Sequence, residues 1–204
     1  MIAVIDYGVG NLFSLTGSLN YLGLAATVTA DASVIRNADR IILPGVGAFA
    51  DAYAKLEATG LIEVIKEETA RGKPLLGICL GMQLLFDRSF EYGEHRGLGL
   101  IGGDVCPIGD DLKEPLKVPH MGWNSLEIIK ESPLLKYNAN GDYVYYVHSY
   151  YAKNCNDSVI ATSRYGIEIT GAVACGNVFG TQFHPEKSGK TGLKMLRAFA
   201  EIGG

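Results

Sequence analysis

The densest chemistry in the chain lies in five residues, Gly77-Ile78-Cys79-Leu80-Gly81, where a thiol sits between two glycines, after an apolar run and before a helix-compatible stretch. This is the pattern of a nucleophile elbow, a sharp strand-to-helix turn that holds the nucleophile in a strained conformation and leaves no room for bulk on either side. At the start of a helix the thiol also feels the positive end of the dipole, which favours thiolate. A lone cysteine is more often a small buried apolar residue. The paired glycines at this junction are what point to chemistry.

A nucleophilic thiol needs a base, and the base needs an acceptor that fixes its tautomer. The four histidines are His95 in a glycine-rich loop, His120 in VPHMGW, His148 in YVHSY and His184 in QFHPE. Only His184 has a carboxylate two residues on, Glu186, across Pro185. Proline bars a helix interior, so this is a strand end or turn in which residues i and i+2 face one side, and Glu186 can accept from the imidazole. In Pro44-Gly45-Val46-Gly47 the two glycines free backbone N–H groups to point into a cleft, as an oxyanion hole requires, and the N–H of Leu80 is the second donor. A rival pattern, Gly8-Val9-Gly10-Asn11-Leu12-Phe13, approaches the dinucleotide fingerprint, but Phe13 replaces its third glycine. Asp31, near the distance of a ribose-binding acid, follows a weak strand among loop residues, so no nicotinamide site is expected.

Elements must hold these groups. Over the first ninety residues a cycle of apolar run, glycine turn and helical stretch recurs, the signature of βαβ units. Strands are expected at 2–6, 26–29, 40–43 and 74–78, and helices at 11–22, 48–56 and 61–71, with Gly23 ending the first helix. A further helix from about Gly81 carries Met82, Leu84, Leu85 and Phe86. Between 98 and 118 glycines, prolines and short β-like pieces replace helices. Strands rich in Val, Tyr and Phe follow at 143–147, 159–163 and 178–183, and a helix at 191–202 closes the chain. No repeat, charge run or linker interrupts it. The expectation is one α/β domain over 1–204: a mostly parallel central sheet flanked by helices, with an antiparallel β portion in the C-terminal half.

Composition sets the outer limits. Of 204 residues 48% are hydrophobic and 20% charged, which excludes disordered and fibrous classes. A net charge of −4 gives no general attraction to nucleic acid or anionic lipid. The apolar runs are far shorter than the roughly 20 residues that cross a bilayer. The four cysteines form no C-x-x-C pair and nothing resembles a cleaved leader, so a cytoplasmic chain with reduced thiols is expected. Twenty-six glycines against seven prolines imply many tight turns and close backbone approaches.

Together GICLGMQLLF, PGVG and QFHPE resemble the class I, triad-type glutamine amidotransferases, a flavodoxin-like family, in order along essentially the whole chain. DYGVGNLFS, PGVGAF, KVPHMGWN, YYVHSYY and QFHPEKSG resemble one branch of it, the glutaminase subunits that serve a cyclase forming imidazole glycerol phosphate. The resemblance implies that Cys79 attacks the side-chain amide of glutamine, giving a thioester and ammonia, and that water then releases glutamate. His184 would be base and then acid, with Glu186 orienting it. It further implies that the Gly45–Val46 peptide rotates so that the Val46 N–H completes the oxyanion hole, which makes Gly45 a conformational requirement. Gly47, Gln83, His148, Ser149 and Tyr150 match substrate-holding positions. No metal or organic cofactor is implied. The implied partner is a separate (β/α)8-barrel cyclase subunit, faced by Asn11, Pro119, Met121, Trp123 and Lys187. It takes ammonia through a tunnel to make imidazole glycerol phosphate and aminoimidazole carboxamide ribotide in histidine biosynthesis. Two other readings keep part of this: the same triad serving the anthranilate, purine or pyridoxal phosphate pathways, or a non-catalytic regulatory protein on the same fold.

Overall fold

A computed structural model describes residues 1–203. Strand β1 (Ile2–Ile5) is buried along its whole length, as a strand covered on both faces must be. Its side chains alternate between two cores. Ile2 and Val4 pack with Leu15 and Leu19 of α1 (Leu12–Tyr21) on one face. Ala3 and Ile5 point to the other face, towards Ile35 of α2 (Ala32–Asn37), Phe49 of α3 (Phe49–Ala58) and Ile65 of α4 (Leu61–Ala70). Asn11 caps α1, accepting from the N–H of Ser14.

Parallel pairing joins β1 to β2 (Ala26–Thr29) and to β3 (Arg40–Gly45), and β3 to β4 (Leu75–Cys79). After β4 come the short helix α5 (Leu80–Leu84) and three strands, β5 (Phe86–Ser89), β6 (His95–Arg96) and β7 (Ile101–Pro107). Beyond them lie β8 (His120–Ser125), β9 (Glu127–Ile128), β10 (Tyr143–His148), β11 (Tyr150–Lys153), β12 (Val159–Tyr165), β13 (Ile167–Cys175) and β14 (Val178–Thr181), then α6 (Gly189–Ala200). The main sheet runs β2-β1-β3-β4-β14-β13-β12-β9, parallel as far as β14 and antiparallel after it. A four-stranded sheet, β11-β7-β5-β6, and a two-stranded ribbon, β8 with β10, complete the antiparallel part. This is the expected class. The parallel strands all end at one edge, where open α/β sheets bind their ligands.

The structure departs from the sequence expectation after the elbow. The helix there stops at Leu84, and Phe86 lies in β5. The returning segment takes over the carbonyls that a longer helix would use: Leu98 N–H bonds Leu84 O, Leu100 and Ile101 N–H bond Leu85 O, and Gly99 N–H bonds Phe86 O. Gly97 makes the approach possible, since a Cβ there would stand 2.1 Å from Phe86 O. Asp31 is no ribose acid. It caps α2, accepting from Ser33 N–H at 2.7 Å. The last strand ends at Thr181, short of 183, and the closing helix spans Gly189–Ala200, offset from the expected 191–202.

Candidate active site

Register assembles the site. Gly45 pairs with Cys79 across β3 and β4, and Ile78 with Thr181 across β4 and β14. The ends of three adjacent strands therefore deliver the Pro44–Gly47 loop, the thiol and the segment carrying His184. At Cys79 the backbone has φ 55° and ψ −112°, the strained turn that an elbow requires. Its glycines are sterically obligatory: a Cβ on Gly81 would lie 1.9 Å from Leu43 O, and one on Gly77 2.6 Å from Gly81 O.

His184 Nδ1 donates to Glu186 Oε1 at 2.8 Å, and both side chains are buried. Nε2 is buried with no hydrogen-bond partner, which leaves it free for the thiol beside it. Burial works against the imidazolium, but hydrogen bonding and charge from Cys79 and Glu186 outweigh it and carry the His184 pKa up to about 10. The arrangement can therefore hold a proton taken from sulfur. Cys79 Sγ lies 3.9 Å from Val147 O and 3.8 Å from Gln182 Nε2.

A cavity of about 600 Å³ opens over the thiol, lined by Val46, Gly47, Leu80, Gln83, Ser149, Tyr150 and His184 among others. The first N–H groups of α5, Leu80 included, have no partner within the helix. Gly47 adopts φ +96°, but Gly45 does not lie in the left-handed region. In this structure Gly45 is required for space: a Cβ would stand 2.6 Å from Gly81 N and 2.9 Å from the Tyr7 hydroxyl. That hydroxyl, buried, donates to Pro44 O at 2.7 Å and so fixes the loop from below. Burial, reinforced by Cys79, pushes the Tyr7 pKa up.

His148 lines the cavity, yet its ring is not available to a ligand. Nδ1 bonds Tyr150 O at 2.8 Å and Nε2 meets His120 Nδ1 at 2.9 Å, so the main chain is what it can offer. Burial holds His148 down to about 3 and His120 to about 4. His95 lies in β6, outside the lining.

Sequence reasoning missed Glu91. It follows β5, lines the cavity and accepts the N–H of Phe49 at 2.6 Å. No local motif marks it, because it reaches the site through the fold of the β5–β7 region. Tyr92, beside it, packs edge-on against Tyr150.

Of the five residues expected at a partner surface, Pro119 lines the cavity and the other four do not. Met121 and Trp123 are 60% and 55% exposed on β8. Pro119 and Lys187 are exposed, and Asn11 is half-buried at the start of α1. Trp123 packs edge-on against Tyr145, and the Lys187 ammonium lies over that same ring.

The model of the glutamine amidotransferase class-I family matches residues 3–202. Imidazole glycerol phosphate synthase subunit HisH of Caldanaerobacter subterraneus subsp. tengcongensis is 54% identical over 203 residues, covering 99% of this chain and 98% of that protein. The subunit of the same name from Listeria monocytogenes is 49% identical over 202 residues, covering 99% and 96%. Among solved structures, one titled as a glutamine amidotransferase superposes with TM-score 0.76 at 18% identity over 98% of both chains. PurLQS from Thermotoga maritima gives 0.74 at 21% identity over 97% of this chain and 96% of that one. These two likenesses speak to fold. With an elbow thiol facing an oriented imidazole and a family match along almost its whole length, this chain belongs to the class I glutamine amidotransferases.

Proposed function

We propose that the chain is the glutaminase subunit of an imidazole glycerol phosphate synthase, hydrolysing glutamine and passing ammonia to a cyclase in histidine biosynthesis. The observation that carries the reading is the Cys79–His184–Glu186 constellation at the ends of two neighbouring strands, β4 and β14, with the thiol and the imidazole open to a cavity. Relatives about half identical over nearly their full length support the choice of branch.

The chemistry follows from the geometry. Glu186 holds the Nδ1–H of His184, so Nε2 accepts the thiol proton. The thiolate attacks the amide carbon of glutamine, and the oxyanion is met by the N–H groups of Leu80 and, after a turn of the Gly45–Val46 peptide, Val46. The imidazolium returns its proton to the leaving nitrogen and ammonia departs. Water, deprotonated by the same imidazole, then opens the thioester, freeing glutamate and restoring the thiol. Glu91, a carboxylate in the cavity wall, has the charge to hold the substrate ammonium, with Gly47, Gln83, Ser149, Tyr150 and the main chain of His148 around it.

Ammonia is lost if the cavity opens to water. Pro119 lines the cavity, and the exposed Met121 and Trp123 on the strand that follows it suit a partner that seals it, with the half-buried Asn11 and the exposed Lys187 as further proposed contacts. A (β/α)8-barrel cyclase is the partner proposed. No helix among the described residues is long and apolar enough to cross a membrane, and the proposed setting is the cytoplasm.

The test is Cys79→Ala. With the cyclase present it is expected to lose glutamine-dependent synthesis and keep synthesis from added ammonium salts. Loss of both would overturn the division of labour.

A further inference from the structure

His120 and Gln182 are buried, polar and outside the triad, and one line of hydrogen bonds runs between them. At its outer end the amide of Asn124 is fixed by two backbone partners: Oδ1 accepts from Ser125 N–H at 2.9 Å, and Nδ2 donates to Arg164 O at 3.0 Å. The second N–H of that amide reaches His120 Nε2 at 3.3 Å. Further in, His148 Nδ1 lies 2.8 Å from the carbonyl of Tyr150. A carbonyl only accepts, so Nδ1 carries the hydrogen, Nε2 of the same neutral ring accepts, and His120 Nδ1 is its donor at 2.9 Å. His120 Nε2 must then accept, as the Asn124 amide demands. With both rings neutral, every contact is satisfied in one proton arrangement only.

The line continues past Tyr150. Its carbonyl also receives Gln83 Nε2 at 3.1 Å, and that nitrogen gives its second hydrogen to Gln182 Oε1 at 3.0 Å. Gln182, with no exposed surface, then points its own Nε2 at Cys79 Sγ, 3.8 Å away. His120 is clamped between the rings of Tyr146 and Tyr165, with centroids at 4.7 and 4.1 Å, so it can neither turn nor flip without breaking the stack.

We propose that Gln182 and His120 are positioning residues of the glutaminase reaction: Gln182 holds the sulfur of Cys79 in place through an N–H donor, and His120 keeps the line behind it in its single proton arrangement. This rests on the reading of Cys79 as the nucleophile. A buried amide aimed at sulfur favours a thiolate held for attack, and a buried polar network is useful only when each member is satisfied.

The test uses the full chain and iodoacetamide, with Cys79 alkylation followed by peptide mass spectrometry so that the exposed Cys175 is counted separately. Gln182→Glu keeps the shape and replaces the donor at sulfur by an acceptor. Alkylation near neutral pH is expected to slow about tenfold or more, the scale of one hydrogen bond to a charged group. With the cyclase present, kcat for glutamine should fall alongside while KM holds. Gln182→Met, uncharged and similar in size, serves if the carboxylate prevents folding. Asn124→Asp attacks the other end, since a carboxylate cannot donate to His120 Nε2. Long-range proton–nitrogen spectra should show the Nδ1–H form of His148 lost, and Cys79 alkylation slowed. In the double variant the two effects should not multiply, because both break one line. Unchanged alkylation in the Gln182 variants, or independent effects at the two ends, would overturn the proposal. Iodoacetamide needs no glutamine, so a chain that failed as a glutaminase would still report on the line.

Discussion

Gly45 has neighbours on every side that a methyl group would strike: the backbone nitrogen of Gly81, the Tyr7 hydroxyl and the backbone of Leu80. Backbone cannot step aside as a flexible side chain can. Gly45→Ala is therefore expected to destabilise the fold by about 1–3 kcal/mol in urea titration, as overpacking does, and to reduce glutaminase turnover because β3 and the elbow separate. At Glu186 the effect is electrostatic. Glu186→Gln keeps an acceptor for His184 and removes its charge, one of the contributions that hold the imidazolium up to about 10. The variant imidazole loses its proton at lower pH, so the alkaline limb of the kcat/KM profile should move down; an unmoved limb would show that Glu186 only orients. The proposed triad was legible because each part sits in a short local motif, Cys79 between the glycines of the elbow and His184 with Glu186 in the H-P-E tripeptide. Glu91, Tyr7 and Gln182 were not, since each meets the site through contacts 37 to 103 residues away in the chain.

Elements were legible where an apolar period ran unopposed. The strands β1, β3 and β4 and the helices α1, α3 and α4 lie within two residues of where their patterns put them. The helix after Cys79 was misjudged because its apolar run continues through Phe86, while its carbonyls are claimed by a segment thirteen or more residues on. Periodicity reads side chains and cannot see that competition. The ribbon of β8 and β10 hides for another reason: its strand β8 reads HMGWNS, half polar and with a glycine, and takes its form from pairing with YVYYVH. On this ribbon Trp123 is more than half exposed, so its loss disturbs little of the free fold. Trp123→Ala is expected to leave the melting temperature within a degree or two and to weaken binding of the proposed cyclase partner by at least about 2 kcal/mol, the range of an aromatic hot spot, in calorimetric titration.

At the scale of the whole molecule, buried histidines set the response to acid. His120 and His148 have folded pKa values of about 4 and about 3 against 6.5 when unfolded. Between about pH 6 and pH 4 the unfolded chain takes up protons that the folded chain refuses, so stability falls as pH falls, by up to about 1.4 kcal/mol per pH unit for each. His184, its pKa raised, is protonated in both states over that window and adds no slope; its contribution is lost only as pH climbs towards 10. Below that window Glu68, held down chiefly by its hydrogen bond from Lys73, and Asp104, held down chiefly by Asn154, lose stabilising charge as well. Urea titrations at pH 7, 6 and 5 should show accelerating loss, and His120→Phe should reduce the slope. The β8–β10 ribbon shares no strand pairing with either of the larger sheets. Two strands alone are marginal in water, so this wall of the cavity is held by its stacked rings and by side-chain bonds such as Tyr146 to Ser163. Deuterium should therefore enter the ribbon amides through small openings, far sooner than those of β3 and β4, and the strand edge bearing Cys79 would keep its shape while this wall of the cavity breathes.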